Sequence, residues 1–542
     1  MNSAAAGPTR VPSAFTPWGE RFATAPAVAV AVALPALAIA WHPLANNDLP
    51  LHLAIGEWIG THGIPSVDPF SFLAEGRPWV PHEWLAGWLF AQAHRLAGTT
   101  GLTGLALGLA AALALTVWDV SRRLGATPTT FALWSLPIWT MVGPRLILRP
   151  HWLALVLLFA TWSVLLRARQ ERRWLWALPG IAALWGNVHG SFGLGLIVMI
   201  GDLWLGGLGN ETWRHESSRT LRGIITGLIL MTPLAQAQAV AQGDLLSGFR
   251  HALGLVSDPV FQSQIEEWRS PLSSQPENPF RASFAFALSL PVALGTLAGA
   301  VFTVRRGKVP LLYALYVIGT LILYAKSQRF IAHFALSAWP LLPALDLRRS
   351  VAGATSAIIA LFATVLFMTA GLPVGRDAEA GTWSWRRPGT GWARRHLGFD
   401  VIDPLAQSGY TGGVLCEYHY GGAIIWRGEG RLRPTMDSRN SVYGAELYQQ
   451  HQEALEVENW VPLIPQIEED PRQRAQLDRL RSAKALLDDL LERVGAVVIR
   501  DPEVDPRRMG LHRRLASDPE WEVIGGIRGG ALLYRKRAPA GG

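Results

Sequence analysis

The first 370 residues alternate between long apolar runs and short polar connections. A helix that crosses a bilayer needs about 20 mainly apolar residues. The runs predict eleven such spans, at 24–42, 101–119, 128–143, 151–167, 174–188, 190–208, 221–238, 282–303, 309–325, 329–346 and 351–370. Several are short, as expected of helices that are tilted, broken or sheltered by protein. The segment HEWLAGWLFAQAHRLAG (82–98) is apolar as well, but its His, Glu, Trp and Arg suit a helix lying at the interface. Treating it as a span would reverse the loops that follow. The run AVALPALAIA (31–40) has the small residues of a signal-peptide cleavage site. Its long polar lead and long apolar extent favour an uncleaved first span instead.

After residue 371 the pattern becomes that of a soluble domain. GGVLCEYHYGGAIIW (412–426) reads as strand, turn, strand. AELYQQHQEALEVENW (445–460) and RAQLDRLRSAKALLDDLLERV (474–494) read as helices, and GAVVIR (495–500) and GALLYRKR (530–537) as strands. GTWSWRRPGTGWARRHL (381–397) is basic and Trp-rich, fit to lie on anionic lipid or to start a helix. The expected architecture is a polytopic α-helical membrane protein of about 11 spans with a C-terminal extracytoplasmic α/β domain. Residues 1–23 form a cytoplasmic tail, 24–370 the transmembrane domain with a first outer loop at 43–100, and 371–542 the outer domain.

Composition sharpens this. Half of the 542 residues are hydrophobic and 17% are charged, below the quarter usual in soluble proteins. Residues 1–370 hold 25 Lys and Arg against 17 Asp and Glu, and the remainder holds 24 of each, so the formal +8 charge lies in the apolar part. That distribution suits the basic inner loops of a membrane protein and argues against a nucleic-acid partner. With the N-terminus inside, Arg122–Arg123, RARQERR (167–173), Arg305–Arg306 and Arg348–Arg349 all fall on the inner face. The single cysteine, Cys416, excludes an intrachain disulfide.

On the opposite face the polar residues differ in kind. The first outer loop carries Asp48, His52, Asp68, His82 and Glu83; later outer connections add Arg145, Arg149, His189, Glu267, Arg329 and His333. Each has an ordinary alternative. Asp48 suits a helix cap, Asp68-Pro69 a turn, and Arg149 and Arg329 snorkelling to the interface. Their gathering on one leaflet favours a site. A carboxylate accepts a proton from an attacking hydroxyl, and arginines hold phosphate, which points to a lipid-phosphate substrate. Zinc is the rival use of His52, His62, His82, Glu83 and His189, but no HxxxH or HExxH spacing occurs. Asp437 and Arg439, in MDSRNSVYG, read first as a polar turn after a strand.

At these residues the chain resembles a known group. The loop DLPLHLAIGEWIGTHGIPSVDPFSFLAEGRPWVPHEWL (48–85), with LRPHWLAL (148–155), WGNVHGSFGLG (185–195), EEWRSP (266–271), QRFIAHFALSAWPLL (328–342) and EYHYGGAIIWR and PTMDSRNSVYG within 417–444, is similar to bacterial multi-span proteins grouped with the GT-C glycosyltransferases. The resemblance implies a GT-C-like bundle with two interfacial helices in the first outer loop, at 49–61 and 82–98. It implies a catalytic carboxylate at Asp48 and a sugar donor carried on polyprenyl phosphate. Pro50 and Leu51, where aromatics are expected, and MTPLAQAQA, where an Asn-Pro turn is expected, depart from the group.

The expected function is therefore transfer of a sugar from a polyprenyl-phosphate donor to a glycan, lipid or protein hydroxyl at the outer leaflet of a bacterial inner membrane. Asp48, His52, Asp68, His82 and Glu83 are the candidate catalytic residues. Arg145, Arg149, His189, Glu267, Arg329 and His333 are the candidate substrate-binding residues. No cofactor is required by the motifs, and a divalent metal is an open option. The alternative is a non-catalytic scaffold or lipid-linked glycan binder of an envelope assembly.

Overall fold

The computed structural model describes residues 32–206, 216–232, 259–273, 284–305, 309–342, 349–376, 383–468, 473–526 and 529–537. The expected cytoplasmic tail, the end of the 221–238 run and most of the 239–281 connection lie outside the described residues.

Helices occur at each predicted apolar run. After a helix over residues 32–40 come α1 (Asp48–His62), α2 (Trp84–Arg123), α3 (Pro128–Val142), α4 (Pro150–Ala168), α5 (Ala177–Val188), α6 (Phe192–Gly201), α7 (Glu216–Leu230), α8 (Phe284–Arg305), α9 (Leu311–Lys326), α10 (Ile331–Ala338) and α11 (Arg349–Ala370). Among the described residues three helices are long and apolar enough to cross a bilayer, namely Trp84–Arg123, Pro150–Ala168 and Ala285–Arg305. Shorter apolar helices at Phe192–Leu205, Leu311–Lys326 and Ile358–Ala370 accompany them.

α2 is really two helices. Ala97 and Gly98 are non-helical, and Gly98 has φ 57°, a conformation costly for residues with a Cβ. The amphipathic segment thus ends at Gly98, and the apolar stretch starts afresh. The bundle packs on aromatic contacts: Phe131 stacks on Trp339 at 3.9 Å, and Trp339 donates its indole N–H to the Phe131 carbonyl (3.2 Å). At the opposite end from the site, Asp119 pairs with Arg122, Arg123 and Arg167, and Asp202 with Arg169. These acids neutralise basic helix ends.

The C-terminal part carries a small hairpin, β1 (Leu372–Arg376) with β2 (Trp383–Arg386), and a five-stranded mixed sheet. The sheet contains β3 (Gly412–Cys416), β4 (Leu432–Pro434), β5 (Ala496–Arg500), β6 (Trp521–Gly526) and β7 (Ala531–Lys536) in the order β4-β3-β5-β7-β6. β3 runs parallel to both β4 and β5, while β7 is antiparallel to β5 and β6. Helices α12 (Phe399–Gln407), α13 (Gly421–Gly428), α14 (Asn440–Glu456), α15 (Arg474–Arg493) and α16 (Met509–Ser517) complete it.

Two expectations are corrected here. GGAIIW forms helix α13, not a strand; the missing strand is LRP, just beyond it. An apolar run this short has no periodicity to tell a buried strand from a buried helix. The Trp-rich 381–397 segment does not start a helix, the next one beginning at Phe399. Its WSWR stretch is β2. Trp392 instead packs inward on Trp426 (5.2 Å) and Phe399 (5.4 Å), while Leu44 and Gly391 exchange a backbone hydrogen bond. The domain is therefore fastened to the chain just before α1.

Candidate functional site

The site begins where the chain turns into α1. Asn47 is the N-cap, without a side-chain cap bond, so Asp48 at the first helical position keeps its carboxylate for other partners. α1 then crosses the first half of α2 at glycines. A Cβ on Gly56 would sit 2.2 Å from the Gly87 carbonyl oxygen, and one on Gly87 would sit 2.9 Å from the His52 oxygen. Only this close approach brings His52 beside Glu83. On the other side of α1, a Cβ on Gly422 of α13 would sit 2.8 Å from Leu51 Cβ, so the C-terminal domain docks equally tightly.

The connection between α3 and α4 is held against α1 by two buried contacts. His42 Nε2 lies 2.9 Å from the Leu146 carbonyl, and Asn46 Nδ2 donates to the Leu148 carbonyl (2.9 Å). This places Arg149 between two acids. Its Nη2 donates to Asp48 Oδ2, and its Nη1 to Glu267 Oε2 at 3.0 Å. Arg145 Nη1 reaches the same Glu267 oxygen at 2.6 Å. Burial pushes the Glu267 carboxyl up, but Arg145, Arg149 and Arg329 outweigh it and hold it well below the usual carboxylate range. Glu267 itself is positioned by Ser327, which donates to its carbonyl (3.2 Å), and by Gln328, whose N–H donates to the Arg269 carbonyl (2.9 Å).

Arg329 differs from its neighbours. Its guanidinium lies 3.8 Å over the Trp268 ring, and among the described residues no carboxylate comes within ion-pair distance of it.

Glu83 is the centre of a second group. Its carboxylate lies 3.7 Å from His52 Nε2, 3.7 Å from His82 Nε2 and 3.4 Å from His189 Nε2. Burial raises the Glu83 carboxyl, opposed by His52 and Arg149. Burial also lowers His52, against the pull of Glu83 and Asp48, and takes His82 down to about 4. A carboxyl raised by burial beside neutral imidazoles is a competent proton acceptor.

These residues open on one cavity of about 770 Å³. Asp48, His52, His82, Glu83, Arg145, Arg149, Glu267 and Arg329 all line it. His189 touches it through Glu83 and is steadied by Ser191 Oγ, 2.8 Å from its Nδ1. His333 is buried behind, its ring 5.7 Å from Phe330, and does not line the cavity. Asp68 is not brought to it. It is 1% exposed and accepts from Arg439 Nη1 (2.6 Å), whose guanidinium is also held by Asp437 (2.7 and 2.8 Å) and lies 4.7 Å over Trp79. Asp68 thus ties the first loop to the C-terminal domain, and the Asp-Pro turn conceals a partner 371 residues away. Arg439 does reach back to the loop instead of standing in a solvated turn. His62 lies at the exposed end of α1, stacked on Trp58 at 3.9 Å.

The far wall comes from the C-terminal sheet. Glu417, Tyr418 and His419 follow β3, Ser438 to Ser441 follow β4, and Arg500, Arg507 and Arg508 end or follow β5. All three segments leave the carboxyl ends of parallel strands, where loops converge on ligands in α/β sheets. Sequence reasoning missed this wall. The available signal was polar residues directly after each strand: EYH, DSRN and RDPEVDPRR.

A divalent cation between Asp48 and Glu267 does not fit this arrangement, because the Arg149 guanidinium already bridges them. Among the described residues no group of three or more His, Cys, Asp or Glu is disposed to hold a metal.

No family model matches the chain, and no curated protein matches it in sequence. Its structure is similar to archaeal oligosaccharyltransferase AglB from Archaeoglobus fulgidus, solved with an inhibitory peptide and dolichol-phosphate, at TM-score 0.56 and 13% identity over 90% of this chain and 71% of that one. It is also similar to an oligosaccharyltransferase structure from the same organism tethered to an acceptor peptide carrying the NVT sequon, at TM-score 0.54 and 14% identity over 89% and 70%. At this identity the likeness concerns the fold alone: a mostly helical chain with apolar helices and a C-terminal mixed sheet, alike over about nine tenths of this chain.

Proposed function

We propose that the protein is a membrane glycosyltransferase that moves a sugar from a polyprenyl-phosphate donor to an acceptor hydroxyl on a glycan, lipid or protein at the outer face. The observation that carries this reading is the meeting, in one cavity, of Glu83 and Asp48 with Arg145, Arg149 and Arg329. The oligosaccharyltransferase likeness, with dolichol-phosphate bound in one relative, supports the same substrate class.

In this reading Arg329, which has no internal acid, holds the donor phosphate. Glu83 accepts the proton of the acceptor hydroxyl. The acceptor oxygen forms a bond to the sugar anomeric carbon as the bond from that carbon to the phosphate oxygen breaks. The lipid phosphate leaves as an anion held by the arginines, giving inversion in a single displacement. Asp48 and Glu267 orient Arg149 in that field. His52, His82 and His189 shield and position Glu83. Transfer of radiolabelled sugar from polyprenyl phosphate by purified protein tests the reading. Glu83→Gln is expected to lose about 10²–10⁴-fold, and full turnover by Glu83→Gln and Arg329→Gln would remove it.

A second reading, a non-catalytic binder of lipid-linked glycans, draws on the fact that Asp48 and Glu267 are both already satisfied by Arg149. It predicts that Asp48→Asn and Glu83→Gln leave cellular function intact, while truncation of the C-terminal domain abolishes it.

A further inference from the structure

Seven arginines and four carboxylates line the cavity. Most of these cations are already neutralised. Arg145 and Arg149 share Glu267, Arg439 has Asp437 and Asp68, and Arg507 and Arg508 are paired with Asp505, Glu456 and Glu417. Two guanidiniums have no carboxylate within ion-pair distance among the described residues. One is Arg329, on the membrane side, and the other is Arg500, on the carboxyl edge of the sheet.

Arg500 is built into its place. It ends β5, and its backbone N–H donates to Glu417 Oε1 at 2.6 Å. Its Nη2 lies 3.3 Å from His419 Nε2, and the Tyr420 hydroxyl is a further partner. An imidazole and a phenol fix a guanidinium without cancelling its charge. Glu417 pairs with Arg508 at 3.2 Å, and its other oxygen lies 3.7 Å from His419 Nδ1, outside ion-pair reach of the Arg500 guanidinium. The wall around it offers neutral donors at the ends of the adjacent strands, including Asn440 and Ser441. Tyr418 donates to Asn440 Oδ1 at 2.8 Å and so orients that amide.

We propose that Arg500, with His419, forms a second anion subsite in the cavity that Arg329 also lines, for a phosphate or carboxylate group of the substrate pair. This deepens the transferase reading and rests on it for the identity of the first anion. The second anion has two sources, the further phosphate of a diphosphate donor or an acidic group on the acceptor. The shared chemistry carries it: two cations of one cavity lining, one from the membrane half and one from the sheet, both without an ion-pair partner among the described residues, suit a ligand with two negative groups.

Binding to the full-length protein in detergent tests it, with farnesyl phosphate, farnesyl diphosphate, trigalacturonate and neutral maltotriose as probes. Arg500→Gln is expected to leave farnesyl phosphate within about twofold and to weaken either farnesyl diphosphate or trigalacturonate by about tenfold or more. The first loss assigns the anion to the donor, and the second to the acceptor. Arg500→Lys recovers part of the loss, and an unchanged unfolding temperature excludes a folding defect. The subsite is overturned if Arg500→Gln changes neither probe, or if it weakens farnesyl phosphate as much as Arg329→Gln does. Failure of the wild type to bind either prenyl phosphate, with Arg500-dependent trigalacturonate binding intact, sinks the donor reading and leaves the subsite standing. Loss of farnesyl phosphate in Arg329→Gln with no effect of Arg500→Gln does the reverse.

Discussion

Replacing Arg149 by Gln removes the cation that Asp48 and Glu267 share. Breaking a buried ion pair costs about 3–5 kcal/mol. Here Arg149 and Asp48 retain 22% and 17% of their side-chain exposure, and Glu267 keeps Arg145 at 2.6 Å. The Asp48–Arg149 coupling is therefore expected at about 2 kcal/mol, or about 30-fold at 1.36 kcal/mol per decade. The assay is a double-mutant cycle on sugar transfer with Asp48→Asn, Arg149→Gln and the pair. Each single substitution slows transfer by about 30-fold or more. The double variant falls no more than about threefold below the slower single, because the second change removes an interaction already lost. Arg149→Lys restores the charge but not the two-pronged contact, and recovers only part of the rate. Strict additivity, with a coupling under about 0.5 kcal/mol, would refute the reasoning that Asp48 acts through Arg149.

Other consequences follow from the same geometry. Asp68→Ala lowers stability by about 2 kcal/mol, less than a fully orphaned charge would cost because Arg439 keeps Asp437; folded protein retains its transfer rate, and a loss of rate without loss of stability would return Asp68 to the chemistry. Gly56→Ala forces a Cβ to within 2.2 Å of the Gly87 oxygen, so the helices separate at a cost of about 1–3 kcal/mol and transfer drops with them; a wild-type melting profile and rate would contradict the crossing. Because Glu83 must be ionised to accept a proton and burial raises it, transfer rises with pH through a midpoint above the ordinary value of 4.5, and Glu83→Gln abolishes that limb. Burial lowers His82 and His419 to about 4 and His451 to about 3. A histidine depressed in the folded state contributes fully above its ordinary 6.5 and loses that contribution as pH falls towards the folded value. The unfolding temperature should therefore drop between pH 6.5 and about 4, and a flat profile there would contradict the buried neutral imidazoles.

The membrane half of the site was legible because polar residues stand out at the ends of apolar runs. Asp48 and Glu83, Arg145 and Arg149, Glu267, and Arg329 come from four separate parts of the chain, yet each is conspicuous against its hydrophobic flank. The C-terminal half was hidden for the opposite reason. In a soluble domain Glu417, His419 and Arg500 look like any surface polar residue. Their meaning comes from the parallel pairing of β3 with β4 and with β5, the latter across more than 80 residues. GGAIIW misled because AIIW is buried on all sides, so neither period appears. Asp68 misled because a turn signature is local, while its salt bridge to Arg439 is not. The role of glycine at the α1–α2 crossing was equally invisible, since close approach leaves no side-chain pattern to read.

The most direct test is a cryo-EM structure of the full-length protein with a polyprenyl phosphate. The account predicts phosphate density in hydrogen-bond contact with the Arg329 guanidinium, in the cavity that Asp48 and Glu83 line, with the prenyl tail leaving towards the apolar helices. Phosphate density elsewhere on the chain, with the cavity holding only solvent at saturating lipid, would contradict it.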